Sequence, residues 1–456
     1  MAKFSKNIKT FSLVTIFVTI VFGAYGGAQM IGGGRTSVSM FLLAVLTFLV
    51  PASLIVYELG TVFPVQSGSY TRIKNAFGKV HGFASGRLSR LPILLLMPLV
   101  TTAIAKHIEY LFGATFSNVQ ILILQIILIF VASLIAFLHI NKTKKVISTL
   151  FLGSVATAII ALLVGIFFGS HPNNFELSQL VPDFTNYGYV YSAAILRLLG
   201  VEDPFNMGGE VKDLKHSAKK MLTRGNLILV LAYLFGMIAI LLISEPGKVD
   251  PIIGLSQSVG TVFPILGKLV SILIIGAVFG QLITYFTEYS RLLVTFAEEG
   301  IFHHKIAKQN SKEVPVVAIG LQMVLSIIIV SIFTIFNTLT VAFNLILAGL
   351  VVVWCFSLYH MYIALPVIRK KYHNLYEENV NTIRKIPGGN IVMYFVVGVA
   401  IVFNTVSIYY VFKSPRTSGI TKGSRRLWLL IISAIIILSS FIVYQISKSK
   451  KNSKLE

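Results

Sequence analysis

Apolar runs recur along the chain with short polar connections between them, at 11–31, 38–63, 91–111, 119–140, 146–168, 187–207, 226–243, 266–293, 316–336, 341–365, 391–412 and 427–446. Each is about the length that a helix needs to cross ~30 Å of hydrocarbon. The pattern predicts an all-α integral membrane protein with 12 transmembrane helices. The spacing groups them as five, five and two. Residues 11–366 form an expected ten-helix core, with halves at about 11–168 and 187–366. A charged loop at 367–390 precedes two accessory helices within 391–446, and tails of 1–10 and 447–456 flank the whole. The last tail, from Lys448, has the polar composition of a disordered end. The first run follows lysines at 3, 6 and 9 like a signal peptide, but no small-residue cleavage site follows it, so it is taken as a span.

Two of these runs break their own pattern. VFGAYGGAQMIGGG, from Val21, places Gly23, Gly26, Gly27, Gly32, Gly33 and Gly34 inside an apolar segment. Glycine is costly in a helix interior, and irregular backbone at membrane depth is tolerated where it is buried in protein or lines a cavity. Five spans later LLGVEDPFNMGGEV repeats the device, with Gly200, Pro204, Gly208 and Gly209 as breakers and Glu202 and Asp203 near mid-span. Broken helices at corresponding positions of two halves point to an inverted-repeat transporter with its site at the repeat interface.

Composition supports the membrane and changes the meaning of the charge. Of 456 residues, 55% are hydrophobic and 12% charged, and the mean hydropathy is +0.82. A formal charge of +22 would suggest nucleic acid in a soluble chain. Here most of the 39 Lys and Arg fall in the N-tail, the even-numbered loops and the C-tail, which places both termini in the cytoplasm of a multi-pass plasma-membrane protein. The basic residues at 413–426 oppose that rule, and Lys106 and Arg197 fall within or at the edge of spans. The basic clusters read as topology signals and contacts to anionic lipid, not as nucleic-acid sites.

The run ELGTVFPVQSGSYTRIKNAFGKVHGFASG, from Glu58, resembles a pattern of the amino acid/polyamine/organocation permeases: an acidic Glu-Leu pair, Phe-Pro, a small-residue turn before Tyr, and an aromatic-Gly before the third span. GVEDPFNMGGEVKDLKHSAKKM is similar to that superfamily's broken sixth span followed by Glu-Val-Lys, with Glu210 at the Glu position. YSRLLVTFAEEGIFHHKIAKQNSKEVPVVAIGLQ, from Tyr289, resembles its Ser-Arg segment leading to the Val-Pro that opens span nine. The resemblance covers spans one to nine and implies a LeuT-type 5+5 inverted repeat working by alternating access as a secondary transporter. Within the superfamily, FGAYGG is nearer the polyamine-type and glutamate/GABA-exchanger forms of span one. Polyamine-type members carry an acid shortly after the break, where this chain has Ala28 and Gln29.

The candidate substrate site is therefore Gly23, Ala24, Tyr25, Gly26 and Gly27 with Leu199, Gly200, Val201 and Glu202. Amides exposed between Ala24 and Gly27 could receive a carboxylate at a positive half-helix end. Carbonyls freed around Leu199 and Gly200 could accept an amine. An intramembrane carboxylate is costly unless paired, so Glu202 and Asp203 are candidates for coupling to protons. The competing structural explanations are small-residue helix packing for the glycines and, for Glu202, an ion pair with Arg197 or with a membrane-crossing arginine elsewhere. Glu288 and Arg291 share a helix face at i, i+3 and could meet there. Lys106, His107 and Glu109 are explained by snorkelling at a span end. Ser154 or Thr157 could serve as a sodium ligand, so sodium stays open beside the proton. Cys355 is a lone packing cysteine, and His303 and His304 lack metal-site spacing. No catalytic constellation, metal cluster or cofactor motif is present, which argues against an enzyme. The expected function is transport of an amino acid or related organic amine by proton symport or exchange, in glutamate/GABA or polyamine style. A membrane nutrient sensor that binds without turnover is the alternative.

Overall fold

The computed structural model describes residues 4–171, 180–335, 340–379, 383–414 and 421–452. The predicted outer loop at 171–183 and the loops at 370–387 and 413–426 lie partly outside these residues. So do Phe336, at the end of the predicted ninth span, and the final four residues.

Among these residues the regular structure is helical, apart from an isolated parallel bridge between Ile8 and Val211. Its helices are α1 (Thr10–Val21), α2 (Gly26–Met30), α3 (Thr36–Val62), α4 (Gly68–Phe77), α5 (Lys79–Phe112), α6 (Asn118–Ala136), α7 (Ile140–Phe168) and α8 (Phe184–Leu198). They continue as α9 (Leu214–Ile243), α10 (Gly254–Val262), α11 (Pro264–Glu298), α12 (Val316–Ile335), α13 (Thr340–Lys371), α14 (His373–Glu378), α15 (Gly389–Lys413) and α16 (Lys422–Asn452). Among the described residues, 10 helices are long and apolar enough to cross a membrane, and 11 if α1 and the bent segment to Gly33 count as one span. The segment expected as the sixth span falls short of that length: α8 has 15 residues and stops at its break. At the C-terminus, the helix runs to Asn452, past Lys448, where the composition predicts a disordered tail to begin.

Burial separates the helices into an inner set and a lipid-facing set. The most apolar windows of α5, α3 and α11 are 72%, 67% and 67% buried, whereas those of α6, α12 and α16 are 28%, 28% and 17% buried. The outward residues of the latter are Leu and Ile, as hydrocarbon contact requires: Ile123, Ile127, Ile328, Leu430 and Leu438 are all exposed. At 35 residues α11 is longer than a membrane crossing, about 50 Å at 1.5 Å per residue, so its C-terminal end also supports the loops.

Local sequence explains the irregularities. Pro51 cannot donate to a carbonyl four residues back and its ring crowds that turn, and a π-helical turn at Val45–Leu49 widens the helix there. A second π-turn at Met221–Gly225 ends on a glycine against which Phe17 packs. The third span starts at Lys79 rather than near residue 91, because Arg87 and Arg90 turn into the protein instead of ending the helix. Arg87 donates to Ser439 and Ser440, and Arg90 is fully buried.

Beyond the membrane core, Lys74 and Lys79 bracket Glu299 at 2.5 and 3.1 Å. Partial burial pushes the Glu299 carboxyl up, but the two ammoniums outweigh it and hold the group below its ordinary range. The N-terminal segment lies along the end of the broken sixth segment, with Ile8 N–H donating to Glu210 O at 2.8 Å and Lys212 N–H to Ile8 O at 3.0 Å.

Glu58 holds α3 to the C-terminal part of the core. It is fully buried and accepts from Arg369 Nε and Nη2, both at 2.6 Å, from Tyr376 OH at 2.9 Å and from Ile386 N–H at 2.7 Å. Glu58→Ala strips Arg369 of its carboxylate partner and should cost about 3–5 kcal/mol. Thermal unfolding of purified protein in detergent checks this, and an unchanged melting temperature would show that the clamp carries no stability.

Candidate functional site

The first break lies between Val21 and Gly26, and the two pieces of the span diverge by 45°. Interrupting a helix frees carbonyls and amides that must find partners. Side chains of two other helices supply them. Gln281 Nε2 of α11 donates to Ile20 O at 2.9 Å. Tyr233 OH of α9 donates to Val21 O at 3.1 Å and accepts from Gly23 N–H at 3.0 Å. Gly26 N–H turns back to Gly23 O at 2.6 Å. Two amides of the candidate segment are thus engaged within the protein. Gly23, Ala24, Tyr25, Gly26 and Gly27 are all buried.

The second break follows α8. Leu199 is extended and Gly200 has φ +103°, a left-handed conformation that a side chain would strain. A 3₁₀ helix, Asp203–Glu210, resumes the path. The two breaks touch: a Cβ on Gly200 would lie 3.5 Å from both Ile20 and Val21. The structure therefore brings Gly200 against the end of α1, where the first break opens ahead of Gly23–Gly27, with Leu199, Val201 and Glu202 buried. Gly200 O is not left open, because it accepts from Asp203 N–H at 3.1 Å.

Glu202 does not pair with Arg197. Its Oε1 accepts from Trp354 Nε1 of α13 at 3.0 Å, and its Oε2 is buried without a hydrogen-bond partner. That oxygen's residue lines a small cavity with Arg72, Ser69, Ser85, Ser89 and Ser357. Arg72 is 1% exposed, and its guanidinium lies over the Phe205 ring at 4.6 Å with its three nitrogens unpartnered among the described residues.

Asp203 belongs to a different group. Arg90 of α5 places Nη1 2.8 Å from Glu288 Oε2 and Nη2 2.9 Å from Asp203 Oδ1, all three side chains being at most 1% exposed. The Asp203 contact is an ion pair without hydrogen-bond alignment. Asn206 completes the group by donating to Glu288 Oε1 at 2.6 Å and accepting from Ser69 Oγ at 2.6 Å. Glu288 and Arg291, whose spacing would let them meet on one face, pair apart: Arg291 Nε donates to Glu210 Oε1 at 2.9 Å. Near the far end of α5, Lys106 pairs with Glu109 at 2.6 Å, but His107 is fully buried, with Nδ1 2.8 Å from Ser271 Oγ, and does not snorkel.

Arg72 and Arg90, which a linear count places in a cytoplasmic loop, are thus interior residues. Tyr233, Gln281 and Trp354 also join the site without a signal of their own, since a single Tyr, Gln or Trp in an apolar run looks like packing. Among the described residues, no three His, Cys, Asp or Glu side chains converge as metal ligands. The cavities at the breaks, each about 10 Å³, have room for about one water, so the halves are packed closed. A larger cavity, about 630 Å³ between Tyr57, Lys219, Asn226 and Arg384, lies away from both breaks.

Two broken helices meeting inside a bundle, with interior carboxylates beside the junction, are an arrangement found in membrane transporters. The profile of the amino acid permease family matches residues 8–441, and the chain belongs to that family, within the amino acid/polyamine/organocation superfamily. It is 24% identical over 415 residues, 87% of each chain, to an uncharacterized transporter of Legionella pneumophila. It is 22% identical over 260 residues, 56% of this chain and 55% of the other, to a probable agmatine/putrescine antiporter of Lactococcus lactis. Crystal structures of mutants of the Eremococcus coleocola manganese transporter share the fold at TM-score 0.65 and 14% identity, over 96% of this chain and 93% of theirs.

Proposed function

We propose that the protein is a secondary active transporter of an amino acid or related organic amine, binding it between Gly23–Gly27 and Leu199–Glu202 and exposing it alternately to the two sides of the plasma membrane. The observation that carries this reading is the contact of the two breaks beside Glu202, whose Oε2 is buried and unpartnered. Such a carboxylate is costly at membrane depth unless it binds a proton or a cation in its working cycle. Proton coupling, by symport or by exchange, is the driving force, and the antiporter relative supports exchange. Span one and α8 with its 3₁₀ continuation serve as corresponding members of a 5+5 inverted repeat. Counting both gives 12 spans, a ten-helix core at 11–366 and two accessory helices, α15 and α16. The basic residues concentrated in the N-tail and even-numbered loops put both termini in the cytoplasm.

Reconstitution into liposomes tests the proposal. Labelled amino acids and amines are offered under imposed proton, sodium and counter-substrate gradients. Saturable uptake that depends on a proton or counter-substrate gradient is expected. Saturable binding with flux at background would replace the transporter by a substrate-binding sensor.

A further inference from the structure

Arg197 stands in the first break. It projects from the last turn of α8, its guanidinium lies 5.1 Å from the centre of the Tyr25 ring, and Nη2 donates to Gln29 Oε1. The glycines of the break make the room. A Cβ on Gly26 would sit 2.8 Å from Arg197 Cδ, and one on Gly23 would sit 3.3 Å from Nη1. The charge therefore lies against the segment where span one is interrupted, with Tyr233 also bordering Gly26.

Arg197 has no acid partner and, unlike Arg72, which also lacks one but faces the cavity that Glu202 lines, it stands against the first break itself. Arg90 is matched by Asp203 and Glu288, Arg291 by Glu210 and Arg369 by Glu58. Among the described residues no carboxylate lies within ion-pair distance of Arg197. Its partners are a neutral amide and an aromatic face, and a helix C-terminus favours a cation only modestly. A guanidinium inside a membrane bundle calls for an anion, and its planar fork suits a carboxylate in particular.

We infer that Arg197 is a specificity-determining residue that requires a carboxylate on the substrate, so that the protein takes amino acids and rejects amines without a carboxyl group. The inference rests on the transporter site proposed above and narrows its substrate class. A bound carboxylate supplies the missing counter-charge at the break. A diamine such as putrescine, or the guanidinium-amine agmatine, instead brings like charge against Arg197. The substrates named for the Lactococcus relative therefore do not carry over to this chain.

Purified protein provides two readouts, ligand-dependent thermal stabilisation and competition for uptake in liposomes, with glutamate, γ-aminobutyrate, leucine, putrescine and agmatine as probes. In the wild type, at least one of the three carboxylates should stabilise and compete, and the two amines should do neither. Arg197→Gln should weaken the active carboxylate by about ten- to hundredfold, as loss of a charge-assisted contact predicts, with Arg197→Lys intermediate. Stabilisation and competition by putrescine or agmatine equal to that of the carboxylates would overturn the inference while leaving transport intact. So would unchanged affinity in a folded Arg197→Gln protein. Carboxylate binding that depends on Arg197 without flux would remove the transport reading alone. A wild type that binds none of the five and moves none of them would remove the inference, whereas transport of some other solute would still leave the transporter standing.

Discussion

Arg90→Met should produce a protein that melts far below the wild type or fails to leave detergent extraction as a monodisperse species. The arginine is completely buried, 2.8 Å from Glu288 and 2.9 Å from Asp203, and no other arginine or lysine lies within ion-pair distance of those carboxylates among the described residues. Removing it leaves two carboxyl groups without their cation in a site that water does not reach, a loss of about 3–5 kcal/mol. Against a typical total of about 5–15 kcal/mol, that is a large part of the fold's margin. A neutral triple variant separates charge from shape: Arg90→Met with Asp203→Asn and Glu288→Gln removes the uncompensated charges together and should recover most of the melting temperature. Arg90→Lys should fall between, since one ammonium cannot reproduce a planar fork reaching two carboxylates. A single Arg90→Met variant that melts with the wild type would show that the triad does not hold α5, the 3₁₀ turn and α11 together.

That triad also marks where linear reading of the chain stops. The breaks themselves are legible, because glycine, proline and carboxylates inside apolar runs violate a strong local rule. Their contact is what two broken segments five apolar runs apart lead one to expect. Partner choice between helices is a different problem. Helical spacing says that Glu288 and Arg291 share a face, but not which neighbour each of them meets; three-dimensional packing gives Glu288 to Arg90 and Arg291 to Glu210. For the same reason Arg72 and Arg90 look like loop charges until the helices carrying them fold inward. The short helices α4 and α10 escape a search for apolar runs, being too short and mixed in composition to register. The sixth segment misleads in the opposite way, since its hydrophobic run continues through a break that ends the helix at Leu198.

The second large effect is functional. Glu202→Gln should leave a folded, inserted protein whose uptake no longer responds to pH. The substitution keeps size and keeps an oxygen to accept from Trp354 Nε1, now 3.0 Å from Oε1, so the tie between the second break and α13 survives. What it removes is the ability to carry a proton at a buried position beside the junction of the breaks. If proton binding at Glu202 drives the cycle, uptake under a proton gradient should collapse to near background, while substrate exchange without a gradient is affected less. The same purified protein should retain its monodisperse elution and nearly its wild-type melting temperature, which separates lost coupling from lost fold. Trp354→Phe provides the complementary measurement. It removes the donor to Oε1 but leaves the carboxylate, so pH-dependent uptake should persist. Wild-type uptake with an intact pH response in Glu202→Gln would exclude this carboxylate from coupling and move the search to Asp203 and Glu288, the two interior acids paired with Arg90.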